Sequence, residues 1–273
     1  MPEATRCIVC RNDNPAYYAV VNGKRLCRCG RCGLIFAHPR PTPLEAAVFY
    51  GAAYYDPYLD AREENEASYE AALDEIEKRS ERGVMLDVGC GIGHFLTAAQ
   101  KRGWQVRGVD PSPWPADHAR EKGGLSVDTV TLEAADFPEA SFDVVTFWST
   151  VEHLPDPVGV LAEGLRVLKP GGAMWVAVPN TRSLGVLLHG LDESNLAKPE
   201  HLFHFNLANL KRLLEQKVGL QGVERVYLWG DRSGAIRNTL QHLARRSRLG
   251  SEIRLVGFKP HPPPRNAVKP DRY

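Results

Sequence analysis

The chain has 273 residues, 43% apolar and 25% charged, with a net charge of +1, an ordinary composition for a soluble globular protein with a real core. The longest apolar runs, such as "GAMWVAVP", fall far short of the ~20 residues a membrane span needs. The opening "MPEATRC" has no apolar h-region, so the expectation is a chain with neither a secretory leader nor a membrane anchor.

Charge is uneven. Residues 1–42 carry seven Lys/Arg against two Asp/Glu and residues 231–273 carry ten against three, which leaves the centre acidic. Basic ends suit either an anionic partner or plain solvation. Five of the six cysteines lie between Cys7 and Cys32. Such clustering reads as metal ligation in a reducing cytoplasm rather than as a disulfide scaffold.

In chain order, the first element is a zinc ribbon over residues 1–42. Cys7-x2-Cys10 and Cys29-x2-Cys32 place four thiolates for tetrahedral zinc, each pair on a tight turn. Cys27 is an alternative to Cys29, through a C-x-C pairing. Some forty residues bury too little to fold alone, and a structural zinc supplies about 10–16 kcal/mol of apparent binding energy. "HPRPTP", residues 38–43, reads as a linker. A lead-in segment follows over residues 43–82, with "YGAAYYDPY" and then an Ala-rich helix from about Leu59 to Ser80 that carries Leu73 and Ile76 on one face.

From Gly83 short apolar strands alternate with helices. The strands are "VMLDVG", "QVRGVD", "LSVDTV", "FDVVTFWS", "AMWVAVPN", "GVERVYLW" and "EIRLVGF". Helices fall near 93–102, 113–122, 157–168 and 206–217, the last capped by Asn206. This alternation predicts an α/β fold: a doubly wound, mostly parallel seven-stranded, Rossmann-like sheet over residues 83–260. "AIRNTLQHLARRSRLG" reads as a helical insertion at about 231–250, and residues 261–273 as an extended tail.

The stretch "LDVGCGIGHFL" follows the first strand of the sheet and opens a helix, where such sheets bind ligands. Its glycines, Gly89, Gly91 and Gly93, are spaced G-x-G-x-G. A dinucleotide fingerprint needs its third glycine one residue later, where this chain has His94. Asp110 ends the next strand, where a carboxylate can take two ribose hydroxyls. With Asp87 just ahead of the loop, the pattern suits a ligand with an amino-acid tail in place of phosphates.

"LDVGCGIGHFL", "VRGVDPSP", "FDVVTFWSTVEHLPDP" and "LKPGGAMWVAVPN" together resemble the ordered motif series of class I S-adenosylmethionine-dependent methyltransferases, across roughly residues 83–181. The cysteine-rich start resembles the zinc-ribbon-headed subgroup, and "EHLFHFNLANLKRLLEQKVGL" resembles the segment after that subgroup's fifth strand. The resemblance implies that Asp87, Gly89, Cys90, Gly91 and Gly93 form the methionine side of the cofactor site, although Cys90 also reads as a small buried residue. It places Asp110 at the ribose and Pro111 and Ser112 beside the adenine. Thr131, Leu132 and Glu133 fall where the family often has Gly-Asp-Ala, with Thr131 in place of the aspartate. Trp148 and Ser149 would floor the transfer site. Trp114 reads as an adenine cover or a helix cap, and Tyr54 and Tyr55 as a lid or as packing.

Methyl transfer from a sulfonium is an in-line displacement, for which orientation supplies up to about 7–11 kcal/mol. A base is needed only where the acceptor loses a proton, and the candidates are His153, His201 and Glu152. The expected function is methyl transfer to a small-molecule acceptor such as a sugar or natural product, with the ribbon structural or substrate-shaping. The alternatives are an RNA methyltransferase that uses the basic ribbon for phosphate contacts, a non-catalytic cofactor-binding partner protein and, weakest, an NAD enzyme. The sequence leaves the oligomeric state open.

Overall fold

In a computed structural model of the chain, the described residues are 6–13, 15–40, 50–60, 62–190, 197–228 and 250–262. Half of the proline linker, nearly all of the insertion before the last strand and nearly all of the tail lie outside them.

Two sheets form the scaffold. The smaller begins with a hairpin, β1 (Ala16–Val21) and β2 (Lys24–Arg28), joined antiparallel through Asn22 and Gly23, followed by β3 (Ile35–Ala37). Asn22 and Gly23 both have positive φ, 49° and 76°, the two-residue turn that matches strand twist and that Asn-Gly favours.

The larger sheet is built from β4 (Val84–Val88), β5 (Gln105–Val109), β6 (Val127–Asp128), β7 (Phe142–Trp148), β8 (Leu168–Pro179), β10 (Gln221–Arg225) and β11 (Glu252–Phe258). Its order is β10-β11-β8-β7-β4-β5-β6. The strands from β8 to β6 are parallel, while β11 runs antiparallel to both β8 and β10. This is the mostly parallel seven-stranded sheet expected. The central strands read as continuous apolar runs because helices cover both faces; Ala173 to Val178 are all buried.

The lead-in segment differs from expectation. Where one helix was expected at 59–80, there are two, α1 (Ala52–Asp60) and α2 (Arg62–Glu77). Local propensity does not favour helix across "YGAAYYDPY", but tertiary packing outweighs it: Tyr54 meets Tyr55 edge-on at 5.1 Å and Tyr55 stacks on Trp114 at 5.8 Å. Leu73 and Ile76 of α2 are fully buried against Met85, Phe95 and Trp175. The remaining helices are α3 (His94–Lys101), α4 (Pro113–Gly123), α5 (Pro157–Val167), α6 (Leu184–His189) and α7 (Leu207–Leu213). The Asn206 side chain caps α7, accepting from the N–H groups of Ala208 and Asn209.

The ribbon is not freestanding. A short strand from far along the chain, β9 (Phe203–His204), pairs antiparallel with β3 and completes the small sheet. Buried ribbon residues such as Leu26, Leu34 and Phe36 share one core with Leu86, Phe147 and Leu161. No sequence period signals that union, because β9 is two residues long.

Candidate active site

β4 is flanked by β5 and β7, so the loops leaving their carboxyl ends diverge and open a crevice, the ligand position of a doubly wound sheet. A cavity of about 490 Å³ occupies it. The glycine loop forms one wall. Its three glycines take φ of 70°, 53° and 78°, values that favour residues without a Cβ. Gly89, Cys90 and Gly91 face the cavity, whereas Gly93 does not. Gly93 caps α3, and a Cβ there would lie 2.3 Å from Leu125 Cδ1; its role is helix packing.

The loop is bolted to the end of β5. Asp110 accepts the Gly91 N–H on Oδ2 and the Ser112 N–H on Oδ1, both at 2.9 Å. Asp87, at the end of β4, accepts the Thr146 hydroxyl at 2.7 Å. Both carboxyls are buried, and neither forms a salt bridge with Lys or Arg among the described residues. Burial pushes Asp87 up to about 7 against the Thr146 hydrogen bond, and the Asp110 charge adds to the rise. Burial also raises Asp110, against the N–H groups of Ser112 and Gly91. Two buried carboxylates without a cation make a site that favours a cationic ligand and opposes a pyrophosphate.

Pro111, Ser112, Thr131, Leu132 and Glu133 line the side next to β5 and β6. The Thr131 hydroxyl accepts the Ala134 N–H at 3.3 Å, so it caps a turn in the place where the aspartate was missed. Trp148 and Ser149 reach the cavity from the end of β7. Trp148 Nε1 is buried without a hydrogen-bond partner among the described residues, its ring edge-on to Phe95 at 5.2 Å. Ser149 has a left-handed φ of 48°. Tyr54 and Tyr55 line the opposite wall, and Trp114 backs Tyr55 from outside the cavity.

Glu152, His153 and His201 also line the cavity and converge, with ligand-capable atoms within 4.8 Å of one another. The imidazoles of His153 and His201 meet edge-on at 4.7 Å. Burial holds His153 well below the usual histidine range, with His201 and the cations Lys198 and Lys24 adding to the fall. Glu152 is fully buried, neither carboxyl oxygen has a hydrogen-bond partner among the described residues, and burial pushes it up to about 8. At neutral pH this group holds an uncharged imidazole beside a protonated carboxyl, an arrangement suited to proton transfer. Lysines on two sides oppose a metal cation.

Sequence reading missed three neighbours of this group. Tyr50 Oη lies 2.8 Å from His153 Nδ1 and fixes the ring. Lys198 lines the cavity, and Lys24 approaches from the ribbon. Only the aromatic run "FYGAAYY" hinted at the first, and nothing local pointed to the lysines.

In the ribbon the four thiols of Cys7, Cys10, Cys29 and Cys32 cluster, while Cys27 lies outside the group. Each pair sits on a matching turn: Arg11 N–H donates to Cys7 O and Gly33 N–H to Cys29 O, both at 2.9 Å. Sγ separations are 3.5 Å for Cys7–Cys32 and 3.4 Å for Cys10–Cys29, close to the ~3.8 Å edge of a tetrahedron with 2.3 Å zinc–sulfur bonds. The Cys32 thiol beside Cys7 holds Cys7 down to about 5, and Cys7 in turn pushes Cys32 up. A thiol lowered this far beside three others fits a thiolate-bound metal.

A family model described as a methyltransferase domain matches residues 60–225, more than half of the chain. The ubiquinone biosynthesis O-methyltransferase of Hahella chejuensis is 41% identical over 102 residues, covering 35% of this chain and 43% of the relative. The enzyme of the same name from Bradyrhizobium is 42% identical over 101 residues, covering 35% and 40%. The chain thus spans less than half the length of these curated relatives. Among solved structures, a Thermotoga maritima S-adenosylmethionine-dependent methyltransferase, titled a possible histamine N-methyltransferase, matches with TM-score 0.57 at 22% identity, over 78% of this chain and 98% of that one. Phosphoethanolamine N-methyltransferase 2 of Haemonchus contortus, solved with S-adenosyl-L-methionine, matches with TM-score 0.57 at 18% identity, over 83% and 62%. With the glycine loop, the Asp110 clasp and the sheet order in place, the matched domain shows that this chain belongs to the class I S-adenosylmethionine-dependent methyltransferases.

Proposed function

We propose that the protein transfers the methyl group of S-adenosylmethionine to a small-molecule acceptor that loses a proton in the reaction. The observation that carries this reading is one cavity lined by two chemically different groups: the Asp87–Asp110 carboxylate pair at the glycine loop, and the cluster of Glu152, His153 and His201. Asp87 and the loop would hold the charged methionine portion, Asp110 the ribose, and Trp148 with Ser149 the floor between the two ends. The cofactor supplies a methyl group on a leaving group already made. The protein's part is to orient the acceptor, exclude water and take its proton at an imidazole nitrogen of His201 or His153. Tyr50 orients His153 through Nδ1, and the Glu152 carboxyl lies 3.8 Å from its Nε2. Similarity to O-methyltransferases favours a hydroxyl acceptor. The cysteine cluster would hold one structural zinc.

The test is methyl transfer from donor with a tritiated methyl group to a panel of catechols, hydroxy acids and free sugars, with RNA in parallel. Label in at least one small molecule, lost in His201→Gln, is the expected result. Label in RNA alone would replace this reading.

The donor end makes a separate prediction. The ionised form of Asp87 is the one that favours a cation, and free Asp87 titrates at about 7. Cofactor binding therefore releases a proton, and affinity rises with pH up to about 7 before levelling off. Calorimetry in buffers of different ionisation enthalpy measures this release; heats independent of buffer would remove Asp87 from the cation site.

A further inference from the structure

The β1–β2 turn points at the segment that carries His201. Asn22 Nδ2 donates to the carbonyl of Ala197 at 2.7 Å. Lys24 Nζ donates to the carbonyls of Lys198 at 2.8 Å, Pro199 at 3.3 Å and His201 at 2.5 Å. An ammonium has three N–H donors and no acceptor, so these three carbonyls match its full capacity. Three carbonyls from four consecutive residues can converge on one point only where the backbone wraps around it. Burial lowers Lys24 to about 8, and the charge of Glu200 works in the opposite direction.

The segment is held on its other side as well. Leu202 N–H donates to Glu152 O, and Leu202 O accepts the Ala37 N–H, both at 2.8 Å. The His201 carbonyl is thus on Lys24, while the next residue is strung between β3 and Glu152. The His201 ring emerges from this double clasp into the cavity, edge-on to His153.

We propose that Lys24 is a positioning residue: by filling the three-carbonyl cradle it fixes the 198–201 segment and sets His201 in the acceptor end of the cavity, which makes the cysteine ribbon a working part of the active site. This rests on the reading of His201 as an acceptor-side base. Without the ammonium, three carbonyls lose their donor and must reach water, which the segment can do only by leaving its clasped path.

Two variants test it in the full-length protein. Lys24→Met keeps the stem and removes the donors, and Lys24→Arg keeps the donors. In Lys24→Met the zinc content and the affinity for S-adenosylhomocysteine stay within about twofold of wild type, while amide exchange at 198 and 200–202 rises by about tenfold or more. The His201 imidazole signal, assigned by its loss in His201→Gln, moves toward that of a solvated ring. Lys24→Arg recovers a large part of both changes. Wild-type exchange and an unmoved His201 signal in Lys24→Met would overturn the proposal, as would a rise in exchange spread evenly over β1 and β2, which reports general loosening of the ribbon. Wild-type methyl transfer by His201→Gln would overturn the base reading and the functional half of the proposal, while the exchange pattern still reports on the cradle alone.

Discussion

Asp110→Ala weakens S-adenosylhomocysteine binding by about two orders of magnitude or more, since hydrogen bonds to a charged group are worth about 1.5–3 kcal/mol each. The carboxylate does two things at once. It takes the N–H groups of Gly91 and Ser112, which locks the glycine loop onto the end of β5, and it faces the cavity where ribose hydroxyls would sit. Alanine removes the ribose partner and frees the loop together. Asp110→Asn keeps one acceptor but turns an amide N–H toward the loop, so its loss falls between wild type and alanine. Gly91→Val should weaken binding through the other half of the same clasp: its φ of 53° is unfavourable for a β-branched residue, and a Cβ would stand 3.1 Å from the Tyr55 ring. Calorimetry measures all three. Unchanged affinity in both Asp110→Ala and Gly91→Val would sink the cofactor assignment.

Cys29→Ser should abolish the zinc content of about one per chain, while Cys27→Ser keeps it. Cys29 belongs to the four-thiol group. Cys27 is buried in β2, opposite Tyr17 of β1 and Phe36 of β3, so a serine hydroxyl there costs only about 1–3 kcal/mol of burial. Loss of a structural zinc removes apparent binding energy of about 10–16 kcal/mol from a piece too small to fold alone. Because β9 belongs to the ribbon's sheet, the loss does not stop at the ribbon. Amides of 202–205 should lose protection along with those of β2, while the β4–β7 centre of the large sheet stays protected. Metal analysis and amide exchange on the purified variants read both effects. Zinc retained by Cys29→Ser, or lost from Cys27→Ser, would overturn the ligand set.

Much of the glycine-loop wall of the cavity was legible in the sequence, because its physics is local. A buried parallel strand must be an apolar run, the sharp turn after it needs glycines, and the next strand of a doubly wound sheet ends beside that turn. Spacing alone therefore singled out Asp87, the loop and Asp110. Gly93, in the same G-x-G-x-G pattern, lies outside the cavity lining. Its left-handed φ serves the start of α3, and the packing against Leu125 behind it is invisible without coordinates. The start of the lead-in helix was missed for a related reason: aromatic rings from elsewhere stabilise a turn that local propensity does not favour.

The acceptor end depended on tertiary structure. Tyr50 and His153 are 103 residues apart and meet at 2.8 Å, and Lys24 reaches the carbonyl of His201 across 177 residues. No period or motif spans such separations; they arise because a two-residue strand joins the ribbon's sheet and the 198–201 backbone folds around one ammonium. The sequence by itself determined the strands of the large sheet, the glycine loop with its carboxylates and the four metal-ready thiols, since each follows from residue type and short spacing. Only the tertiary structure decided that ribbon and methyltransferase domain share one core, and that Glu152, His153 and His201 form a single buried group in which desolvation raises Glu152 and lowers His153.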